Sequence, residues 1–150
     1  MAGGDPGDLF VLEPVFAPLA KNTTHMGEVG AGQATKMCNQ MIVACNAAVV
    51  AETIALARKS GVDVTKLPGA LAGGFADSIP FQILAPQMAE HDFTLKWKVA
   101  TLLKDLRGAL SAADRNGCEI PLCQLAENIM GKHNERYQDK DLSTLIKKYE

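Results

Sequence analysis

Residues Ala31–Lys59, AGQATKMCNQMIVACNAAVVAETIALARK, decide the fold. The stretch contains no proline and, after Gly32, no glycine, and its Ala, Met, Gln, Leu and Glu residues favour helix. Gly61 stands just beyond it as a stop signal. A helix of this extent runs about 40 Å at 1.5 Å per residue. Met37, Met41, Ala44, Ala48, Ala51 and Ala55 recur every three to four positions and form a narrow stripe of mostly small residues. Ile42, Val43, Val49 and Val50 add apolar character on other faces, so the helix is expected to be buried on most sides, as the central post of its domain.

Before this post, Gly3-Gly4-Asp5-Pro6 reads as a turn, Asp8 as the cap of a short helix reaching about Leu19, and Asn22–His25 as a brief extended piece. No other segment alternates apolar and polar residues, so such a strand has no sheet to join within the chain, and a sheet upstream of Met1 is the expectation. After the post, the spacing predicts a short helix over 63–72, a break at Gly73-Gly74, and a helix over 78–88 interrupted at Pro80 and Pro86. A second long helix follows over 95–116, then helices over 121–138 and 142–149. The expected architecture is all-α.

With 150 residues, 47% of them hydrophobic and 21% charged, the composition is that of a soluble globular domain. A net charge of -2, one tryptophan and two tyrosines disfavour a nucleic-acid partner. Met1–Pro6 lacks the basic start and apolar stretch of a signal peptide, and no uninterrupted apolar run reaches the roughly 18 residues of a membrane span, so a cytoplasmic location without membrane contact is expected. Cys38 and Cys45 are expected to face the core of one helix, while Cys118 and Cys123 flank a turn. Neither pair has CxxC spacing and the three histidines are scattered, so the thiols read as structural and no metal site is expected.

The chemistry concentrates in Gly27–Gln40, GEVGAGQATKMCNQ. A Walker A loop needs lysine after Gly32, where Gln33 stands, and a dinucleotide fingerprint needs a third glycine where Thr35 stands. Both phosphate-loop readings fail. Lys36, Asn39 and Gln40 remain, at i, i+3 and i+4, on one face of the post. An ammonium beside two amides can form a cup for a small hydroxy acid, the amides holding oxygens while the ammonium moves a proton. From spacing alone, an exposed Lys-Asn-Gln face is the better account.

The pattern G-x-x-G-x-G-x-x-x-K-x-x-N, carried by Gly27, Gly30, Gly32, Lys36 and Asn39, resembles the β-hydroxyacid dehydrogenase family, which includes 3-hydroxyisobutyrate dehydrogenase, tartronate semialdehyde reductase and the glyoxylate/succinic semialdehyde reductases. The likeness continues through Ala51-Glu52, Leu56-Ala57, Gly61-Val62-Asp63 and Gly73–Ser78. A second block, Asp92-Phe93, Trp97 and Leu103-Lys104-Asp105-Leu106, is similar to the family's D-F-x-x-x-F…K-D-L segment, and Gly3-Gly4-Asp5 resembles the turn after the last strand of its Rossmann domain. The likeness therefore covers essentially the whole chain. It implies a helical C-terminal domain of the 6-phosphogluconate dehydrogenase type over residues 27–150, for substrate and dimerisation, with a remnant of the Rossmann domain over 1–26.

The resemblance implies that Lys36 is the catalytic lysine and that Asn39 and Gln40 bind substrate. Trp97, where the family usually has phenylalanine, would line the substrate pocket, and its bulk bears on pocket size. Lys104 would reach the cofactor, with Asp105 its neighbour in the same motif. Simple core packing for Trp97 and a solvated pair for Lys104–Asp105 are the alternatives. The phosphogluconate dehydrogenases carry histidine where Asn39 stands, which argues against that branch. The implied reaction is hydride transfer between NAD or NADP and a short hydroxy acid or semialdehyde, with Lys36 moving the proton and burial or a second cation, for which Lys104 is a candidate, favouring its neutral form. Further expectations are that the chain acts with its own N-terminal Rossmann domain, is inactive without it, and self-associates as a homodimer or homotetramer. A non-catalytic oligomerisation or ligand-binding module is the rival class.

Overall fold

The computed structural model describes all of residues 1–150. Its elements are α1 (Pro6–Phe16), α2 (Ala31–Lys59), α3 (Leu67–Leu71), α4 (Ile79–Glu90), α5 (Val99–Arg115), α6 (Pro121–Tyr137) and a terminal 3-10 helix, η1 (Leu142–Lys148). The architecture is all-α, and β-pairing is limited to two isolated bridges, Ala2 with His25 and Lys98 with Asp141. The chain divides into two compact units, Met1–Gln40 and Met41–Glu150, with the boundary inside α2.

Within the first unit the extended piece before α2 does find a partner in the chain. The Ala2 N–H donates to the Thr24 carbonyl at 2.9 Å and the Met26 N–H to the Ala2 carbonyl at 2.8 Å. Helix α1 starts at Pro6 rather than after Asp8, because the Asp5 carboxylate, not Asp8, accepts the Gly7 N–H as cap. No α1 residue is buried, and Phe10, Val11 and Leu19 are exposed apolar side chains. The glycine-rich approach to α2 serves packing: a Cβ on Gly3 would lie 2.5 Å from the Glu28 carbonyl oxygen, and one on Gly32 would meet the Met1–Gly3 backbone at 3.1 Å. These glycines let two backbone segments touch, which accounts for Gly3 and Gly32 without a phosphate.

Helix α2 ends where Gly61 adopts φ 78°. The Val62 N–H donates to the Ala57 carbonyl and the Gly61 N–H to Arg58, a Schellman ending that satisfies orphan carbonyls. Arg58 and Lys59 place positive charge on the same end, where the helix dipole favours it. In the second unit, Ala44, Ala47, Ala51 and Ile54 recur every three to four residues and enter the core with Leu102, Leu103 and Leu106 of α5 and Met130 of α6. Each large core side chain contributes about 2 kcal/mol by leaving water. Burial of α2 on most sides is not what is found: Ile42, Val49 and Leu56 are 63%, 52% and 69% exposed, at seven-residue spacing along one face. By length and composition alone α2 is apolar enough to cross a membrane, a property that the core helix of a globular protein shares, and its small residues sit in a protein core.

Helix α4 runs unbroken from Ile79 to Glu90 with Pro86 inside it. Pro80 does not interrupt it, because Pro80 occupies the first turn, where no N–H is needed, after the Ser78 cap. Helix α5 begins four residues later than its sequence signals, because the Val99 and Ala100 N–H groups donate to the Lys140 and Gln138 carbonyls rather than back along a helix.

Candidate functional site

Lys36, Asn39 and Gln40 belong to the first unit and share a face of α2. Lys36 and Asn39 are exposed and Gln40 is buried. The Asn39 amide donates from Nδ2 to Gln40 Oε1 at 3.1 Å, so the buried amide orients its exposed neighbour. Thr35, behind Lys36, returns its hydroxyl to the Ala31 carbonyl at 2.8 Å and stays within its own helix. The face therefore presents one cation and one amide held by a second amide, a set suited to carboxylate and hydroxyl oxygens.

Trp97, Lys104 and Asp105 belong to the second unit. Trp97 precedes α5 and is half-buried against the core cluster, so part of its ring does pack as core. Lys104 lies seven residues on, along α5, its side chain 78% exposed and its Nζ 3.4 Å from Asp105 Oδ1. The Asp105 side chain is only 17% exposed. An exposed ammonium on a helix, anchored by a partly buried carboxylate, can meet an anionic or hydroxylated ligand from solvent at small desolvation cost. A single ammonium of this kind can take one phosphate oxygen of a dinucleotide.

Asp141 is the residue that sequence reading missed. Its carboxylate is 1% exposed. Oδ2 accepts the backbone N–H groups of Lys96 at 2.7 Å and Trp97 at 2.9 Å. Oδ1 accepts the Ser143 N–H at 2.9 Å and the Ser143 hydroxyl at 2.6 Å. Burial pushes the carboxyl up, but the Ser143 hydroxyl and the Trp97, Lys96 and Ser143 amides outweigh it and hold it below the usual carboxylate range. The Val99 and Ala100 N–H groups, which a helix begun at Leu95 would direct to the Leu95 and Lys96 carbonyls, donate instead to Lys140 and Gln138, and α5 starts only at Val99. The available signal was Asp141-Leu142-Ser143, an N-cap pattern ahead of the last helix.

The cysteines depart from expectation in one respect: Cys38 is exposed rather than core-facing. Cys45 and Cys123 instead meet at 3.8 Å between sulfurs. Burial, and then Cys45, push the Cys123 thiol up to about 11. Around them Ile42, Val49, Leu122, Leu125 and Ile129 line an apolar groove of about 730 Å³ between α2 and α6.

Residues 30–149 match the family described as the NAD-binding domain of NADP-dependent 3-hydroxyisobutyrate dehydrogenase. The chain belongs to this family. The matched stretch takes in all six residues from Lys36 to Asp105 named above. Relatives within the 3-hydroxyisobutyrate dehydrogenase group include a 2-hydroxy-3-oxopropionate reductase of Escherichia coli, 37% identical over 121 residues that cover 81% of this chain and 41% of the relative. A probable 3-hydroxyisobutyrate dehydrogenase of Mycobacterium tuberculosis is 32% identical over 97% of this chain and 52% of its own length. The solved Mycobacterium tuberculosis 3-hydroxyisobutyrate dehydrogenase with L-serine superposes with a TM-score of 0.88 at 31% identity, over 97% of this chain and 53% of that one. The chain thus spans about half the length of the curated relatives it matches. In this family frame, the all-α architecture read from the sequence is the one observed.

Proposed function

We propose that this chain is the substrate-handling helical half of an NAD(P)-dependent oxidoreductase that moves hydride between a nicotinamide and a short β-hydroxy acid or semialdehyde, of the 3-hydroxyisobutyrate or tartronate semialdehyde type. The observation that carries the proposal is the face of α2 on which Lys36 stands exposed beside the linked Asn39–Gln40 amides. Lys36 gives a proton to the carbonyl oxygen during reduction and takes it from the hydroxyl during oxidation. Asn39, oriented by Gln40, binds a carboxylate or hydroxyl oxygen, and Trp97 lines the apolar side of the pocket. Lys104, braced by Asp105, contributes to holding the dinucleotide, whose chemistry when bound is hydride transfer.

In this reading residues 1–26 close a dinucleotide-binding domain and residues 27–150 form the substrate and dimerisation domain. Support comes from α1, whose apolar side chains are left exposed, as expected of a surface that further protein covers. The glycine fingerprint and its sheet are not among these 150 residues, so the isolated chain has little with which to hold a dinucleotide. The 150-residue chain mixed with NADH or NADPH and tartronate semialdehyde is expected to show no coenzyme oxidation. The same chain fused to a GxGxxG strand-turn-helix domain from a relative is expected to show it. Turnover by the chain alone, or none by the fusion with any short β-hydroxy acid or semialdehyde, counts against the proposal.

The partner proposed for the α2–α6 groove is a second copy of the chain. Ile42, Val49, Leu122 and Leu125 are 63%, 52%, 74% and 57% exposed around one depression, more contiguous apolar surface than scattered single residues give. Sedimentation velocity is expected to show a dimer or higher oligomer for the wild-type chain and a folded monomer for Val49→Glu combined with Leu122→Glu. A wild-type chain that stays monomeric at high concentration removes this part of the proposal.

A further inference from the structure

We propose that Asp141 is a positioning residue for the substrate pocket, fixing the backbone of Trp97 from the far end of the chain; this rests on the reading of Trp97 as a pocket residue. Four observations converge. The Asp141 carboxylate is buried and uses both oxygens, one on the Lys96 and Trp97 amides and the other on Ser143. The Trp97 carbonyl accepts the Leu142 N–H at 2.9 Å, so the backbone of Trp97 is held on both its donor and its acceptor side by residues 141 and 142. The adjoining backbone is held in the same way: Val99 donates to the Lys140 carbonyl and Ala100 to that of Gln138. The Ser143 hydroxyl, whose one proton goes to Asp141 Oδ1, lies 3.2 Å from the Asp92 carbonyl, which sets the start of the Asp92–Lys98 loop beside the same turn.

The physical reason for a carboxylate here is geometric. Trp97 lies outside any helix, so its N–H and carbonyl have no intrahelical partners and would otherwise be left to water. One ionised oxygen accepting two adjacent amides fixes the orientation of that peptide more firmly than a neutral acceptor, because charge-assisted bonds are shorter and stronger. The direction of the indole then follows from a backbone that α6 and η1 hold in register.

Trp97 is the sole tryptophan, so the intact chain carries its own probe. Asp141→Asn is expected to shift Trp97 emission to the red and to increase quenching by acrylamide. Ser143→Ala, which removes the hydroxyl bond to the opposite oxygen and keeps the backbone one, is expected to leave Trp97 emission at its wild-type value even where it lowers Tm. If both substitutions move Trp97 equally, or a folded Asp141→Asn leaves it unmoved, Asp141 does not position Trp97. Should Asp141→Asn fail to fold, hydrogen exchange on the unaltered chain decides the matter: the Lys96 and Trp97 amides are expected to exchange as slowly as core helical amides, and fast exchange overturns the proposal. In the complete enzyme, Asp141→Asn is expected to raise KM for the hydroxy acid more than it lowers kcat. Titrating that enzyme with the hydroxy acid separates the two ideas. If Trp97 emission ignores ligand while Asp141→Asn still loosens it, the pocket reading fails and positioning survives; the reverse result removes positioning alone.

Discussion

Replacing Lys36 with alanine in the complete enzyme is expected to lower kcat by about 10²- to 10⁴-fold, the usual contribution of a positioned acid or base, while leaving the oligomeric state and Tm unchanged. The structure explains why the two effects separate. Lys36 is exposed on α2 and takes no part in the hydrophobic core cluster. Removing an exposed side chain from a helix and leaving alanine, the best helix former, costs no helical stability. Lys36→Arg is the sharper variant. It keeps the charge, but guanidinium does not release its proton near neutrality, so an acid-base role predicts a loss close to that of alanine. A role limited to attracting the substrate's carboxylate predicts that arginine restores most of the rate. Steady-state kinetics on the three proteins, with light scattering on the same samples, decides between these roles, and an alanine variant with near wild-type kcat ends the case for Lys36 as the proton-transfer group.

The second large effect is on stability in mild acid. His133 of α6 is buried, stacks on Tyr137 with centroids 4.4 Å apart, and lies 2.9 Å from Thr144 Oγ1 of η1. Thr144 spends its one hydroxyl proton on the Asp141 carbonyl at 2.6 Å, so His133 Nε2 is the donor and the ring is the neutral Nε2–H tautomer. Burial, and then the charge of Lys147, lower its pKa from 6.5 to about 4. Between those two values the unfolded chain binds a proton that the folded chain refuses, so stability falls as pH drops from 6.5 to 4 and levels off below it for this group. The loss is on the order of 3 kcal/mol for one well-buried imidazole. Asp141 extends the same limb: its carboxyl is held below the ordinary carboxylate value, so its contribution is present above that value and is lost at lower pH still. Urea midpoints measured from pH 7 to pH 4 are expected to fall for the wild type, and to fall much less for His133→Gln, which keeps an amide donor near Thr144 but cannot titrate. An unchanged slope in that variant assigns the acid sensitivity elsewhere.

How much of this is legible in the sequence depends on how local the cause is. The extent of α2 is, because its residues favour helix and Gly61 closes it within the same few residues. The start of α5 is not, since Leu95–Lys98 carries ordinary helical signals that lose to the Lys140 and Gln138 carbonyls, far along the chain, which take the Val99 and Ala100 N–H groups. Pro80 reads as a break only when taken apart from the Ser78 cap, which makes it a first-turn residue. The burial of α2 is overstated by its apolar content, which reports that a face wants cover, not whether this chain supplies it; Ile42, Val49 and Leu56 remain exposed. Among the candidate site residues, the shared face of Lys36, Asn39 and Gln40 follows from helical period alone. The bond from Asn39 to Gln40 depends on rotamers, and periodicity says nothing about those.

The bare contact between Gly3 and Gly32 has a wider bearing. Alanine at position 3 would bring a methyl group to 2.5 Å from main chain rather than from a yielding side chain, wedging the opening segment off the root of α2, whereas alanine at position 32 would press the Met1–Gly3 main chain at 3.1 Å. Glycine spacing here records how near two stretches of main chain come to each other. A search keyed to that spacing alone would take the same signature for a nucleotide cradle, whereas asking what the missing methyl would strike tells the two apart.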